Sequence, residues 1–126
     1  MSEQPDRDTS ILLVEDDEIV RRALKMVLEW EGYRVDCAAN GQEGLDFLRA
    51  GGQPSIILLD MMMPVLDGKQ FRQEQKRDPR LASIPLIVVS GAHFASTVDA
   101  DHLVRKPFEV QDLLAVIRDH TTRASV

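Results

Sequence analysis

Short apolar runs alternate with longer amphipathic segments along almost the whole chain, and this alternation limits the fold more than any other feature. SILLV at 10–14 is a short apolar run of the kind shown by a strand buried on both faces. Ile19, Val20, Ala23, Leu24, Val27 and Leu28 follow at helical spacing, and Gly32 marks a helix stop. YRVDCA at 33–38 is a second strand candidate, and 41–50 a short helix carrying Leu45 and Leu48. SIILL at 55–59 is the strongest strand signal. A helix is expected after Gly68, although KQFRQEQKRD offers only Phe71 to a core. IPLIVVS at 84–90 and HLV at 102–104 complete the strands, and Val110, Leu113, Leu114 and Ile117 stripe a final helix. Strand and helix in strict alternation imply parallel strands with right-handed crossovers and helices on both faces, a doubly wound α/β fold with five strands.

The 126 residues suit one domain with a substantial core. Residues 1–9 and 122–126 read as a flexible N-terminus and a C-terminal tail around a domain at 10–121. No apolar run reaches the length of a membrane span, and the first ten residues are too polar for a signal peptide. A single cysteine, Cys37, excludes an intramolecular disulfide and points to the cytoplasm. A net charge of −6 and no basic run longer than two residues argue against a nucleic-acid surface, which leaves small molecules, metals and other proteins as partners.

Sheets of this kind bind ligands outside the carboxyl ends of their strands. Strand one runs into four consecutive acids, in LLVEDDE at 12–18. Like charges this close cost stability unless solvent, a helix N-terminus or a cation offsets them. Asp17 suits the N-cap of the first helix and Glu18 its first turn, which leaves Glu15 and Asp16 for the edge of the sheet. Asp60 ends strand three, Ser90 ends strand four ahead of the small pair Gly91-Ala92, and Lys106 follows strand five. Three carboxylates, a hydroxyl and an ammonium therefore collect on one edge. The run Met61-Met62-Met63 reads as loop and packing, because thioethers suit soft metals and the neighbouring donors are hard oxygens.

In order and spacing these pieces match a known family. VEDD at 14–17, LLDMMMPVLDG at 58–68, VVSGA at 88–92 and RKPF at 105–108 resemble the receiver domain of two-component response regulators over about residues 10–120. Asp60 follows Asp16 by 44 positions and Ser90 follows Asp60 by 30, as in that family. The resemblance implies a flavodoxin-like strand order, 2-1-3-4-5. It also implies that Asp60 accepts a phosphoryl group from a histidine kinase or histidine phosphotransfer protein. Mg²⁺ would then be held by Asp16, Asp60 and the backbone carbonyl of Met62, with Glu15 acting through water. Lys106 and Ser90 would contact phosphoryl oxygens, Gly91 would keep the approach open, and Lys106-Pro107 would be a cis peptide. The same resemblance implies a downstream protein target and a monomer or weak phosphorylation-dependent homodimer. It makes the chain a signalling domain rather than an enzyme, catalysing only its own phosphorylation and dephosphorylation.

Two departures stand out. Only 16 positions separate Ser90 from Lys106, so the helix between strands four and five is expected to be shortened or missing. Leu103 occupies the position three before the lysine where the family often has Tyr or Phe. The shortened crossover supports an alternative, a receiver-like interaction module that works without phosphorylation, which the intact set of Glu15, Asp16, Asp60, Ser90 and Lys106 opposes. An aspartate-nucleophile phosphatase on a similar fold is disfavoured by Met62, which stands where such enzymes carry a second acid. A nucleotide-binding module is disfavoured by the absence of a Gly-rich phosphate fingerprint.

Overall fold

The computed structural model describes residues 9–60, 68–91 and 99–124. Five strands, β1 (Ser10–Val14), β2 (Arg34–Ala38), β3 (Ile56–Asp60), β4 (Leu86–Ser90) and β5 (His102–Arg105), form one parallel sheet in the order β2-β1-β3-β4-β5. Four helices are described: α1 (Glu18–Trp30), α2 (Gly41–Arg49), α3 (Gly68–Arg77) and α4 (Val110–Ala124). The expected order and the expected α/β alternation are both present. The connection from β4 to β5 spans only residues 91–101, and its described residues contain no helix, in line with a shortened fourth crossover. None of the described helices is long and apolar enough to cross a membrane.

The period-2 geometry of a strand decides the core. Leu12, Val14, Ile57, Leu59, Leu86 and Val88 face one way and pack with Leu45, Leu48 and Phe71 of α2 and α3. Ile11, Leu13, Ile56, Leu58, Ile87 and Val89 face the other and pack with Leu28, Leu113, Leu114 and Ile117 of α1 and α4. Central strands buried on both faces read as unbroken apolar runs for this reason.

Several elements differ in detail from what the sequence predicts. Of the six-residue stripe expected to bury α1, only Leu28 is fully buried, whereas Ile19 is 81% exposed and Val20 also faces solvent at the carboxyl edge. Val110, expected on the buried stripe of α4, is exposed as well. Helix α3 has the opposite surprise. Its one apolar anchor, Phe71, is fully buried, but so are Arg72 and Gln75. The Gln75 amide donates to the carbonyls of Leu81 (3.0 Å) and Ile84 (2.9 Å) and accepts from Arg72 Nη1 at 2.9 Å. Arg72 Nη2 reaches Asp101 Oδ2 at 3.3 Å, and that same oxygen accepts from the Leu86 amide at 2.8 Å. One polar chain thus ties α3, the loop after it, the start of β4 and the residue before β5. Buried polar groups are tolerable when satisfied in this way, and only Arg72 Nε lacks a partner among the described residues.

Candidate functional site

The strand order places the carboxyl ends of β1 and β3 side by side at the point where the winding direction reverses, which is where sheets of this type bind ligands. Asp60 is the last residue of β3 and only 5% exposed. Pairing of Ser90 with Arg105 in the β4–β5 ladder sets Lys106 just beyond the edge. From there Lys106 Nζ reaches Asp60 Oδ2 at 2.8 Å. The Lys106-Pro107 peptide is cis, as the resemblance implied.

At the end of β1 the four acids separate as the sequence predicts. Asp17 caps α1, its Oδ1 accepting from the amides of Ile19 (2.9 Å) and Val20 (3.1 Å), and Glu18 lies in the first turn. Glu15 is 4% exposed, its amide bonded to the Ala38 carbonyl at 3.0 Å and its Oε2 accepting from the Asp17 amide at 3.1 Å. Asp16 is exposed. One contact was absent from the sequence reading: Arg21 Nη1 donates to the Glu15 carbonyl at 2.9 Å. Ser90 is fully buried, and its hydroxyl donates to the Gly91 carbonyl at 2.8 Å. Among the described residues, a Cβ added at Gly91 would meet nothing within 4 Å. Met62, Pro64, Asp67 and Ala92 lie outside the described residues.

The electrostatics show what this edge lacks. Burial, followed by the Asp60 side chain, pushes the Glu15 carboxyl up to about 8. Burial works against the charge on Lys106, but the hydrogen bond it donates to Asp60 and the surrounding acids prevail and raise its pKa. A buried carboxyl that keeps its proton near neutral pH beside a second acid marks a deficit of positive charge. Among the described residues one ammonium pairs with Asp60 and no cation is paired with Glu15 or Asp16, a donor set of hard oxygens that suits Mg²⁺. Among the described residues no three acids, histidines or cysteines stand close enough to make a preformed cage. Such a cage is not required, because Mg²⁺ usually keeps several waters and uses one or two carboxylates. An apolar cavity of about 300 Å³, lined by Val20, Leu24, Phe108 and Leu113, adjoins Glu15, Asp60 and Lys106. Its low polarity strengthens the interactions of the charges at its mouth.

Comparison with known proteins bears on the chain as a whole. The family model for the response regulator receiver domain matches residues 11–118. An uncharacterized transcriptional regulatory protein of Bacillus subtilis, YkoG, is 42% identical over 112 residues, which cover 86% of this chain and 49% of that protein. The chain thus spans about half the length of such relatives. The response regulator receiver domain protein from Clostridium thermocellum superimposes with a TM-score of 0.83 at 26% identity, covering 93% of this chain and 97% of that one. Response regulator TrrA of Thermotoga maritima, solved in complex with Mg²⁺-BeF, gives 0.80 at 28% identity, covering 89% and 98%. With the strand order, the acids at the switch point and the lysine on Asp60 already in place, this match over nearly the whole chain has one reading: the chain belongs to the receiver domains of two-component response regulators.

Proposed function

We propose that this domain is a phosphoacceptor in a two-component phosphorelay, and that Asp60 receives the phosphoryl group from a phosphohistidine on a histidine kinase or histidine phosphotransfer protein. The observation that carries the reading is the 2.8 Å contact between Lys106 Nζ and Asp60 Oδ2, at the end of β3 and beside Glu15. Asp60 Oδ attacks phosphorus in line, an O–P bond forms, and the P–N bond to the donor imidazole breaks with its electron pair staying on nitrogen. Lys106 holds one oxygen of the transferring group, while Ser90 turns its hydroxyl from Gly91 to donate to another. Mg²⁺, when bound, neutralises charge on the transferring group. Asp16 and Asp60 would hold it with the carbonyl of Met62, and Glu15 through water. The domain unit is residues 10–121, a signalling module rather than a classical enzyme, and it passes its state to a downstream protein as a monomer or a weak dimer.

Treatment with acetyl phosphate and Mg²⁺, followed by intact-mass measurement, tests this. One added phosphoryl group is expected, and Asp60→Asn should abolish it. A gain that persists in the variant would refute the assignment of Asp60. The short β4–β5 connection favours a second reading, an interaction module that works unphosphorylated. Absence of any mass gain in the wild type would support it.

A further inference from the structure

Arg21 stands where helix electrostatics disfavour it. Asp17 caps α1, so Arg21 lies at the end of the first turn, close to the positive pole of the helix. Its neighbour Arg22 is compensated by Glu18 at 2.8 Å. Arg21 is in no ion pair among the described residues, and its guanidinium donates instead to a main-chain oxygen, the Glu15 carbonyl at 2.9 Å. That carbonyl belongs to the peptide joining Glu15 to Asp16. The same turn is fixed on either side by the Glu15 amide on Ala38 and by the Asp17 amide on Glu15 Oε2. Exposed Asp16 therefore projects from a backbone held at three points, and Arg21 supplies one of them, on the peptide that enters Asp16.

We propose that Arg21 is a positioning residue for the cation site, clamping the peptide from which Asp16 reaches toward the metal. The inference rests on the reading of Glu15, Asp16 and Asp60 as that site. Two effects of Arg21 oppose each other. Its charge disfavours a nearby dication, whereas its hydrogen bond holds Asp16 in the orientation that binds one. Charges separated by several ångströms in contact with water interact weakly and are screened. A hydrogen bond from a charged donor to a main-chain acceptor is the larger effect, so positioning prevails. This also accounts for a cation kept against the helix dipole, since local rules are broken where function requires it.

Mg²⁺ titration without any phosphodonor, followed by NMR of the amides of residues 15–17, tests the inference. Arg21→Met should raise the dissociation constant about tenfold, the size expected for one charge-assisted hydrogen bond. Arg22→Met removes the same charge one position along and should leave the constant within about twofold of wild type, because exposed charges act weakly. Arg21→Lys, which keeps the charge but loses the planar fork, should fall between wild type and Arg21→Met and carries the test should the Met variant not fold. Hydrogen exchange at the Asp17 amide should quicken in Arg21→Met and not in Arg22→Met. Equal shifts in Arg21→Met and Arg22→Met, or Mg²⁺ bound as tightly without Arg21, would overturn the positioning role alone. Failure of the wild type to bind Mg²⁺ would instead overturn the reading of the site, and this inference with it.

Discussion

Raising the pH from about 5 to about 9 without divalent cations should destabilise this domain, with Glu15 responsible. Its carboxyl is pushed from the ordinary 4.5 up to about 8, by burial first and then by the Asp60 side chain. The unfolded chain releases this proton near 4.5, while the folded one keeps it until about 8. Between those values the folded state binds more protons, so stability is complete below the lower value and falls as pH rises through the upper one. The gap of 3.5 pH units, at about 1.36 kcal/mol each, sets a ceiling near 5 kcal/mol. The effective dielectric of even a buried site is well above that of dry protein, which brings the expected loss to about 2 kcal/mol. For a domain of this size that is roughly 6 °C in Tm. Thermal unfolding of wild type and Glu15→Gln at several pH values would measure it. Wild-type Tm should fall across the window, and the variant, whose amide keeps the shape without the charge, should stay nearly flat. Millimolar Mg²⁺ should oppose the loss, because a cation favours the ionised carboxyl. A wild-type Tm that rises between about pH 5 and 8, or a variant as steep as wild type, would refute this account of the acidic edge.

Two further outcomes are expected. Gln75→Leu should cost about 2–3 kcal/mol in denaturant unfolding, because it strands the carbonyls of Leu81 and Ile84 and a hydrogen bond of buried Arg72; a cost below about 0.5 kcal/mol would mean that the polar chain under α3 is dispensable. If Asp60 is phosphorylated as proposed, Met62→Asn should shorten the life of that state severalfold, because Met62 and Ala92, two positions after Asp60 and Ser90, cannot orient an attacking water by hydrogen bonding; an unchanged rate of phosphate release would refute this.

How much of this could be read from the sequence differs from element to element. SILLV, SIILL and LIVVS are apolar apart from one terminal serine each because both faces of a central strand are buried, so periodicity placed the strands without tertiary information. Parallel pairing then carried Glu15, Asp16, Asp60, Ser90 and Lys106 to one edge, and the LLVEDDE run divided into cap residues and edge residues on capping chemistry alone. What depends on distant partners could not be read. Arg72 and Gln75 look like solvent-facing helix residues until Asp101, Leu81 and Ile84 arrive from elsewhere in the chain to satisfy them. Ile19 and Val20 share the apolar stripe of α1 with Leu28 but stay exposed at the carboxyl edge, where Val20 borders the apolar cavity. Burial, and then the Asp60 side chain that β3 brings against it, push the Glu15 carboxyl up. Sequence patterning reports the burial and hydrogen bonding that an element arranges for itself; the protonation of an acid and the partner of a guanidinium are set by groups far away in the chain, and the tertiary structure alone decided them.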